Sequence, residues 1–193
     1  MVKKSVKNGE KSLKNAISFK SNNALINLAK SILNNSFQES DLRHYSSIHS
    51  KAALCVVLRK NGKIIAYDGL LDNKIALPEK VLYATRVAGF EISHLPDKER
   101  SVLDVEIVLM SHPKIMKVSH ANEYLSKIVL KRDGIMIVGE HITAALMPVY
   151  AEFHKLTIKK FLEKLCEKAE LTKSDWKDLS YKILLFSVKK VIK

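Results

Sequence analysis

Hydrophobic residues recur at helical spacing in three stretches of this chain. In Ala24–Phe37 one face collects the apolar positions, which predicts an amphipathic helix that ends near Asn34-Asn35. A second helix is predicted from Pro78 through about Glu91, because proline is tolerated in a first helical turn. Thr157–Ala169 has the cleanest pattern, with lysines outward and the inward positions occupied by Phe161, Leu162, Leu165 and Cys166.

Other stretches have the patterns of strands. Ala52–Leu58 is continuously apolar and precedes Asn61-Gly62, the strongest short hairpin signal in the chain. Val102–Met110 alternates between apolar and polar residues, as a half-exposed antiparallel strand does. Further elements are predicted in order along the rest of the chain: a short helix at Ala121–Ile128, a turn at Arg132-Asp133-Gly134 between Ile128–Leu130 and Ile135–Val138, and strands at Thr143–Met147 and Tyr181–Val191.

These elements predict an α+β fold in which helices flank antiparallel sheets, because strands and helices mix without a repeating βαβ unit. A length of 193 residues suits one core, or one domain with a smaller appended lobe. Residues 1–21 are rich in Lys, Ser and Asn and predict a mobile basic tail. We therefore expect a tail at 1–21 and a folded domain at 22–193.

The net charge of +13 raises the question of a nucleic-acid partner. The lysines are spread along the whole chain, and no two of the five arginines are close in sequence. We interpret the charge as a solvated lysine-rich surface, with weak and non-specific nucleic-acid binding as its expected consequence. No apolar run is long enough to span a bilayer, and the N-terminal lysines do not suit a signal peptide, so a cytoplasmic location is expected.

The sequence offers few candidates for chemistry. The six glycines never cluster into a phosphate-binding loop, and no residues have the spacing of metal ligands, so no metal site is predicted. Cys55 and Cys166 lie within apolar patterns and are interpreted as inert, reduced core thiols. Tyr67 and Asp68 are neighbours on one strand and so point to opposite faces. An acid before a glycine is usually turn chemistry, whereas a buried Asp68 with a partner would suggest a site.

Several short motifs occur together in an order and spacing that resemble the AMMECR domain family, over roughly Ala24 to Val191. In chain order they are Lys60-Asn61-Gly62-Lys63 with Gly69, Val108-Leu109-Met110-Ser111-His112-Pro113, Arg132-Asp133-Gly134-Ile135, Leu146-Met147-Pro148, Phe161 through Ala169, and Trp176. The resemblance implies a two-lobed α+β domain built on antiparallel sheets, with a cleft between a larger and a smaller lobe. It also implies a family whose biochemical activity is unsettled and which is often encoded beside Memo-type and radical-SAM proteins.

The family signature, Leu-Arg-Gly-Cys-Ile-Gly on the strand after the hairpin, is replaced at most positions here. The matching residues are Ile64, Ile65, Ala66, Tyr67, Asp68 and Gly69, so that the arginine and the cysteine are both absent. The family's Asp-Pro-Arg-Phe segment corresponds to Ile92, Ser93, His94 and Leu95, which removes another charged pair. The resemblance places the signature strand at the cleft, and the candidate cleft residues are therefore Ile65, Tyr67, Asp68, Gly69, His94 and His112.

Three functions follow from these observations and stay open at this point. The first is a non-catalytic binding or scaffold protein with a protein partner at the cleft or at a strand edge. The second is an enzyme with altered chemistry, in which Asp68 is a general base or ligand and Tyr67, His94 or His112 assists. The third is a basic nucleic-acid-binding protein. The sequence indicates no particular cofactor, and an exposed apolar patch would favour the first hypothesis.

Overall fold

The computed structural model describes residues 19–193, apart from the side chains of residues 19, 20 and 190. The described chain forms two compact units: the first runs to Val108 and includes Val191–Lys193, and the second is Leu109–Lys190. Both contain helices and antiparallel strand pairs, so the predicted α+β class is confirmed. None of the described helices is both long and apolar enough to cross a membrane.

The first unit is built on a strand hairpin with two longer helices. Its elements are α1 (Phe19–Leu33), a 3₁₀ helix (Glu39–Tyr45), β1 (Ala53–Lys60), β2 (Lys63–Leu70), α2 (Leu77–Glu91), α3 (Asp97–Arg100) and β3 (Asp104–Met110), which continues into the second unit. The strand order within this unit is β2-β1-β3. Helix α2 packs on β1 and β2, and α1 packs on α2.

The hairpin follows from its turn and its apolar strand. Asn61 and Gly62 both have positive φ, 52° and 75°, as a two-residue type I′ turn requires. The residues of β1 from Ala53 to Leu58 are at most 1% exposed, so both faces of this strand are covered. β1 and β2 pair antiparallel, from Leu54 opposite Leu70 to Lys60 opposite Lys63, with one register shift between Leu58 and Arg59. The hairpin predicted from Asn61-Gly62 is therefore confirmed.

The second unit combines short strands with one amphipathic helix. Its elements are β4 (Lys114–Ile115), α4 (Glu123–Lys127), β5 (Asp133–Val138), β6 (Thr143–Leu146), α5 (Pro148–Phe153), α6 (Ile158–Lys168), a 3₁₀ helix (Asp175–Lys177) and β7 (Lys182–Ile192), whose last two residues belong to the first unit. β5 pairs antiparallel with β6 and with β7, and β4 pairs with β7. The inward residues predicted for α6 are buried together with Trp176.

The structure differs from the sequence predictions at three places. Helix α1 begins at Phe19, five residues before the predicted start at Ala24. Residues 1–18 of the predicted tail lie outside the described residues, so the division into a tail and a domain stays a prediction. The turn predicted at Arg132-Asp133-Gly134 lies earlier, at residues 130–132, because the strand β5 already begins at Asp133. The segment before the turn loops around the carboxylate of Asp133, to which the Val129 amide donates. Helix α5, which has six residues and begins at Pro148, was not predicted.

Candidate functional site

The residues at the signature positions lie on β2, the outer strand of the first unit's strand order. The register pairs Val57 with Tyr67 and Val56 with Asp68, so Tyr67 and Asp68 lie on opposite faces of the hairpin, as strand geometry predicts. Both are half-buried. Ile65 is the residue at which the register shifts, since Arg59 pairs with Ile64 while Leu58 pairs with Ala66. A bulge of this kind re-aims the neighbouring side chains.

Gly69 is required by the close approach of the two strands. A Cβ atom at this position would lie 2.4 Å from the Leu54 carbonyl oxygen and 2.8 Å from the Cα of Cys55. Both obstacles are backbone atoms of β1, which cannot rotate away as a side chain can. The last glycine of the signature therefore has a structural role here: it allows β2 to lie against β1.

The two cysteines are core residues, as predicted. Cys55 is 1% exposed on β1, and burial raises the pKa of its thiol, to which the nearby Asp68 carboxylate adds. Cys166 is fully buried on α6, and burial likewise raises the pKa of its thiol. Because the thiolate is the reactive form, neither group is activated as a nucleophile.

A charged cluster lies beside the bulge. Arg59 Nε is 3.1 Å from Glu106 Oε2 on β3, and Lys193 Nζ is 2.8 Å from Glu106 Oε1. Burial alone would raise the pKa of Glu106, but the hydrogen bonds from Lys193 and Arg59 hold that pKa below its usual value. The Arg59 guanidinium is thus engaged by a carboxylate and does not replace the signature arginine as an open anion site.

The two candidate histidines are not on β2. His94 is exposed in the turn that follows α2, and His112 is exposed after β3 in the second unit. The six candidate residues are therefore divided between the two units. Among the described residues, no three His, Cys, Asp or Glu side chains form a group that could hold a metal ion. The assignment of Tyr67 and Asp68 to a cleft stays a prediction.

The family motif Arg132-Asp133-Gly134 forms a structural centre in the second unit. The buried Asp133 carboxylate accepts two hydrogen bonds from the Arg132 guanidinium, at 2.8 and 2.7 Å, and one from Ser187 Oγ at 2.6 Å. Burial opposes ionisation, but these bonds and the Val129 amide keep the pKa of Asp133 low.

At Gly134 a Cβ atom would lie 2.3 Å from the ring of Phe186. These residues join β5 to β7, and the Asp133 carboxylate is engaged in structural hydrogen bonds.

Sequence reasoning missed two features of α2. Lys80 is 0% exposed, and its ammonium donates to the carbonyls of Lys51 and Ala52 at 3.0 and 2.8 Å. In contrast, Tyr83, Val87 and Phe90 are exposed. The signal for this second feature was present in the sequence: α2 carries more apolar positions than one buried face can use.

Comparison with known proteins places this fold and these motifs in one family. The AMMECR1 family model matches residues 24–191. Protein MJ0810 of Methanocaldococcus jannaschii is 32% identical over 89 residues, which span 46% of this chain and 44% of that protein. Protein NEQ441 of Nanoarchaeum equitans is 27% identical over 111 residues, which span 56% of this chain and 62% of that protein.

The fold has a solved counterpart. The crystal structure of the uncharacterized protein PH0010 from Pyrococcus horikoshii superposes with a TM-score of 0.69, covering 91% of this chain and 92% of that one at 18% identity. That identity supports a shared fold only. Because the family model covers nearly all of the described residues, the chain belongs to the AMMECR1 family.

Proposed function

We propose that this chain is a non-catalytic binding or scaffold member of the AMMECR1 family, acting on a protein partner in the cytoplasm. The observation that carries the proposal is the replacement of the signature chemistry on a strand whose framework is retained. Ile65 and Tyr67 stand where the family resemblance implies arginine and cysteine, while Gly69 keeps β2 against β1. The side chains of the signature that are chemically able to hold an anion or to attack as a nucleophile, the arginine and the cysteine, are thus absent from this strand.

The thiol and the guanidinium on the neighbouring strand β1 do not compensate for this loss. Cys55 is buried on the neighbouring strand with a raised thiol pKa, and Arg59 is engaged by Glu106. A phenol at position 67 is a poorer nucleophile than the thiol that the family resemblance implies there. The strand that carries the family signature is therefore better suited to packing and contact than to covalent chemistry.

A protein partner is favoured over nucleic acid by the surface of the described residues. Helix α2 exposes Tyr83 and Phe90, and an exposed apolar patch supports a protein interface. The lysines on α6, the most regular basic face, are interleaved with carboxylates: Lys160 is 2.8 Å from Glu163, and Lys164 is 2.6 Å from Glu167. This pairing reduces the positive potential that a phosphate backbone would encounter.

The experiment that tests the proposal removes the remaining candidate chemistry without altering shape. In a strain that lacks the chromosomal gene, we expect the double variant Tyr67→Phe/Asp68→Asn to restore the wild-type phenotype as fully as the unchanged chain. Asp104→Asn, at an exposed carboxylate of β3, is the matched control. If the double variant folds, as judged by circular dichroism, but fails to restore the phenotype while Asp104→Asn succeeds, the function requires the hydroxyl or the carboxylate of β2 and the proposal is wrong.

A further inference from the structure

The outward side of α2 carries a stripe of exposed apolar residues. Tyr83 is 56% exposed, Val87 37% and Phe90 78%, and their spacing of four and then three residues places them on one face of the helix. The opposite side of α2, which includes Val81, Ala84 and Ala88, is buried. Single exposed apolar residues are ordinary, whereas three in register, two of them aromatic, mark a contact surface.

The charges that border this stripe are acidic, although the chain as a whole is basic. Glu79 lies in the first turn of α2 and Glu91 at its last residue, and both are exposed. Arg86 lies within the stripe, but its guanidinium is 3.6 Å from Glu39 and 6.0 Å from the centre of the Phe37 ring. Lys80, the other cation of the helix, is buried against two carbonyls. The accessible border of the stripe therefore attracts positive charge.

We propose that the outward face of α2, formed by Tyr83, Val87 and Phe90 between Glu79 and Glu91, binds a basic amphipathic helix of a partner protein. This inference rests on the proposed function and names the class of partner. The partner helix presents an apolar stripe to the two aromatic rings, with lysine or arginine side chains at both ends. Glu79 and Glu91 are twelve residues apart, which is about 18 Å along a helix, or about three turns of the partner.

Charge decides between this partner and the alternatives. An acidic helix would bring its carboxylates against Glu79 and Glu91, and like charges across an interface are unfavourable. A second copy of this chain would present the same acidic border to itself. The lysines elsewhere on the surface repel a basic helix at long range, but at about 0.15 M salt charges more than about 8 Å apart are largely screened. The local carboxylates then dominate at contact distance.

The test uses two fluorescein-labelled helical peptides of about 18 residues that share one leucine stripe and differ only in their flanking residues, lysine in one and glutamate in the other. Each is titrated with the full chain by fluorescence anisotropy at about 0.15 M salt. We expect the lysine peptide to bind and Phe90→Ser to weaken that binding about tenfold or more, because aromatic anchors dominate interfaces. Val102→Ser, at an apolar residue of similar exposure outside α2, is the matched control and leaves the affinity unchanged.

A charge reversal completes the design. The double variant Glu79→Lys/Glu91→Lys is expected to reverse the preference, so that the glutamate peptide binds better than the lysine peptide. The proposal is overturned if Phe90→Ser binds the lysine peptide as well as the wild type does, or if the wild type prefers the glutamate peptide. It is also overturned if deleting residues 1–18 raises the affinity for the lysine peptide about tenfold, since the chain itself would then occupy the face. Rescue by Tyr67→Phe/Asp68→Asn is measured separately, so that failure here leaves the proposed function standing.

Discussion

Glu123 shows how one carboxylate organises a loop of the second unit. It accepts hydrogen bonds from the Ser119 amide at 2.8 Å and the His120 amide at 3.3 Å, and from the ammonium of Lys127 at 2.6 Å. The Lys127 bond and the two amides lower the pKa of Glu123 to about 2. An ionised carboxylate therefore closes the loop in front of α4.

We expect a titration of the Glu123 side chain by NMR to give a pKa of about 2, below its ordinary value of 4.5. Because the folded pKa is the lower one, the carboxylate stabilises the fold above pH 4.5, and this contribution is lost as the pH falls towards 2. The difference in unfolding free energy between the wild type and Glu123→Gln is thus expected to shrink over that range. A titration midpoint near 4.5 would show that these three bonds do not form in solution.

Residue types and their local pattern were sufficient to predict the burial of the cysteines, but not the burial of the acidic residues. A thiol within an apolar pattern has one ordinary fate, burial, and both Cys55 and Cys166 follow it. Whether a carboxylate is buried depends on which donors the fold brings to it. Asp133 meets Ser187, 54 residues further along the chain, and no local pattern predicts such a contact.

Among the elements, α2 is the one whose sequence is hardest to interpret. Its start at a proline and its end at Glu91 were predicted correctly. Its first turn is joined to the segment before β1 by the Leu77 amide, which donates to the Ser50 carbonyl at 2.9 Å, and by the buried ammonium of Lys80. A lysine in a first turn is expected to be solvated, and its burial here depends on where residues 51 and 52 pass.

The substitution Lys80→Met removes both hydrogen bonds of the ammonium and keeps an unbranched side chain. We expect this variant to lose about 1 to 3 kcal/mol of unfolding free energy at pH 7, because the carbonyls of Lys51 and Ala52 lose a partner. Chemical denaturation measures the loss, with Lys74→Met at an exposed lysine as the control. Equal losses for the two variants would contradict the structural role of the Lys80 ammonium.

The difference in unfolding free energy between the wild type and Lys80→Met is expected to depend on pH. Burial lowers the pKa of Lys80 below its ordinary value of 10.5, with partial opposition from Asp72. The unfolded chain therefore binds more protons than the folded chain just below pH 10.5, and stability rises with pH in that window. We expect the wild type to gain stability relative to Lys80→Met as the pH approaches 10.5.

The predictability of the other elements follows the strength of their patterns. Helix α6 and the β1–β2 hairpin were predicted from the sequence because an amphipathic face and a two-residue turn are local signals. The short α5 and the position of the turn before β5 were not predicted correctly, since a few residues carry little periodicity and tertiary contacts decide their conformation. The signature positions could be placed on a strand, but the bulge at Ile65 depends on the register with β1.

For the whole molecule, the net charge of +13 predicts weak, sequence-blind binding to nucleic acid. Such binding is expected to fall steeply with salt, because released counterions supply nearly all of its driving force. Deleting residues 1–18 removes five lysines and one glutamate and is expected to weaken it further. Titration with random oligonucleotides at two salt concentrations measures both effects. Binding that persists at physiological salt, or that prefers one sequence, would instead favour a nucleic-acid function.

The contact at Gly69 has a consequence for how an activity is assigned to relatives of this chain by sequence similarity. A side chain at that position would strike the backbone of β1, so any chain that builds this hairpin needs the glycine, whatever reaction it performs or lacks. The glycine therefore indicates only that the hairpin forms, whereas the side chains at positions 65 and 67 can differ with the chemistry of the protein. A signature match that counts the glycine as heavily as the arginine and the cysteine therefore detects the hairpin more than the chemistry. Weighting these positions by what each one physically does would separate chains that share only the fold from chains that also share the reactive side chains.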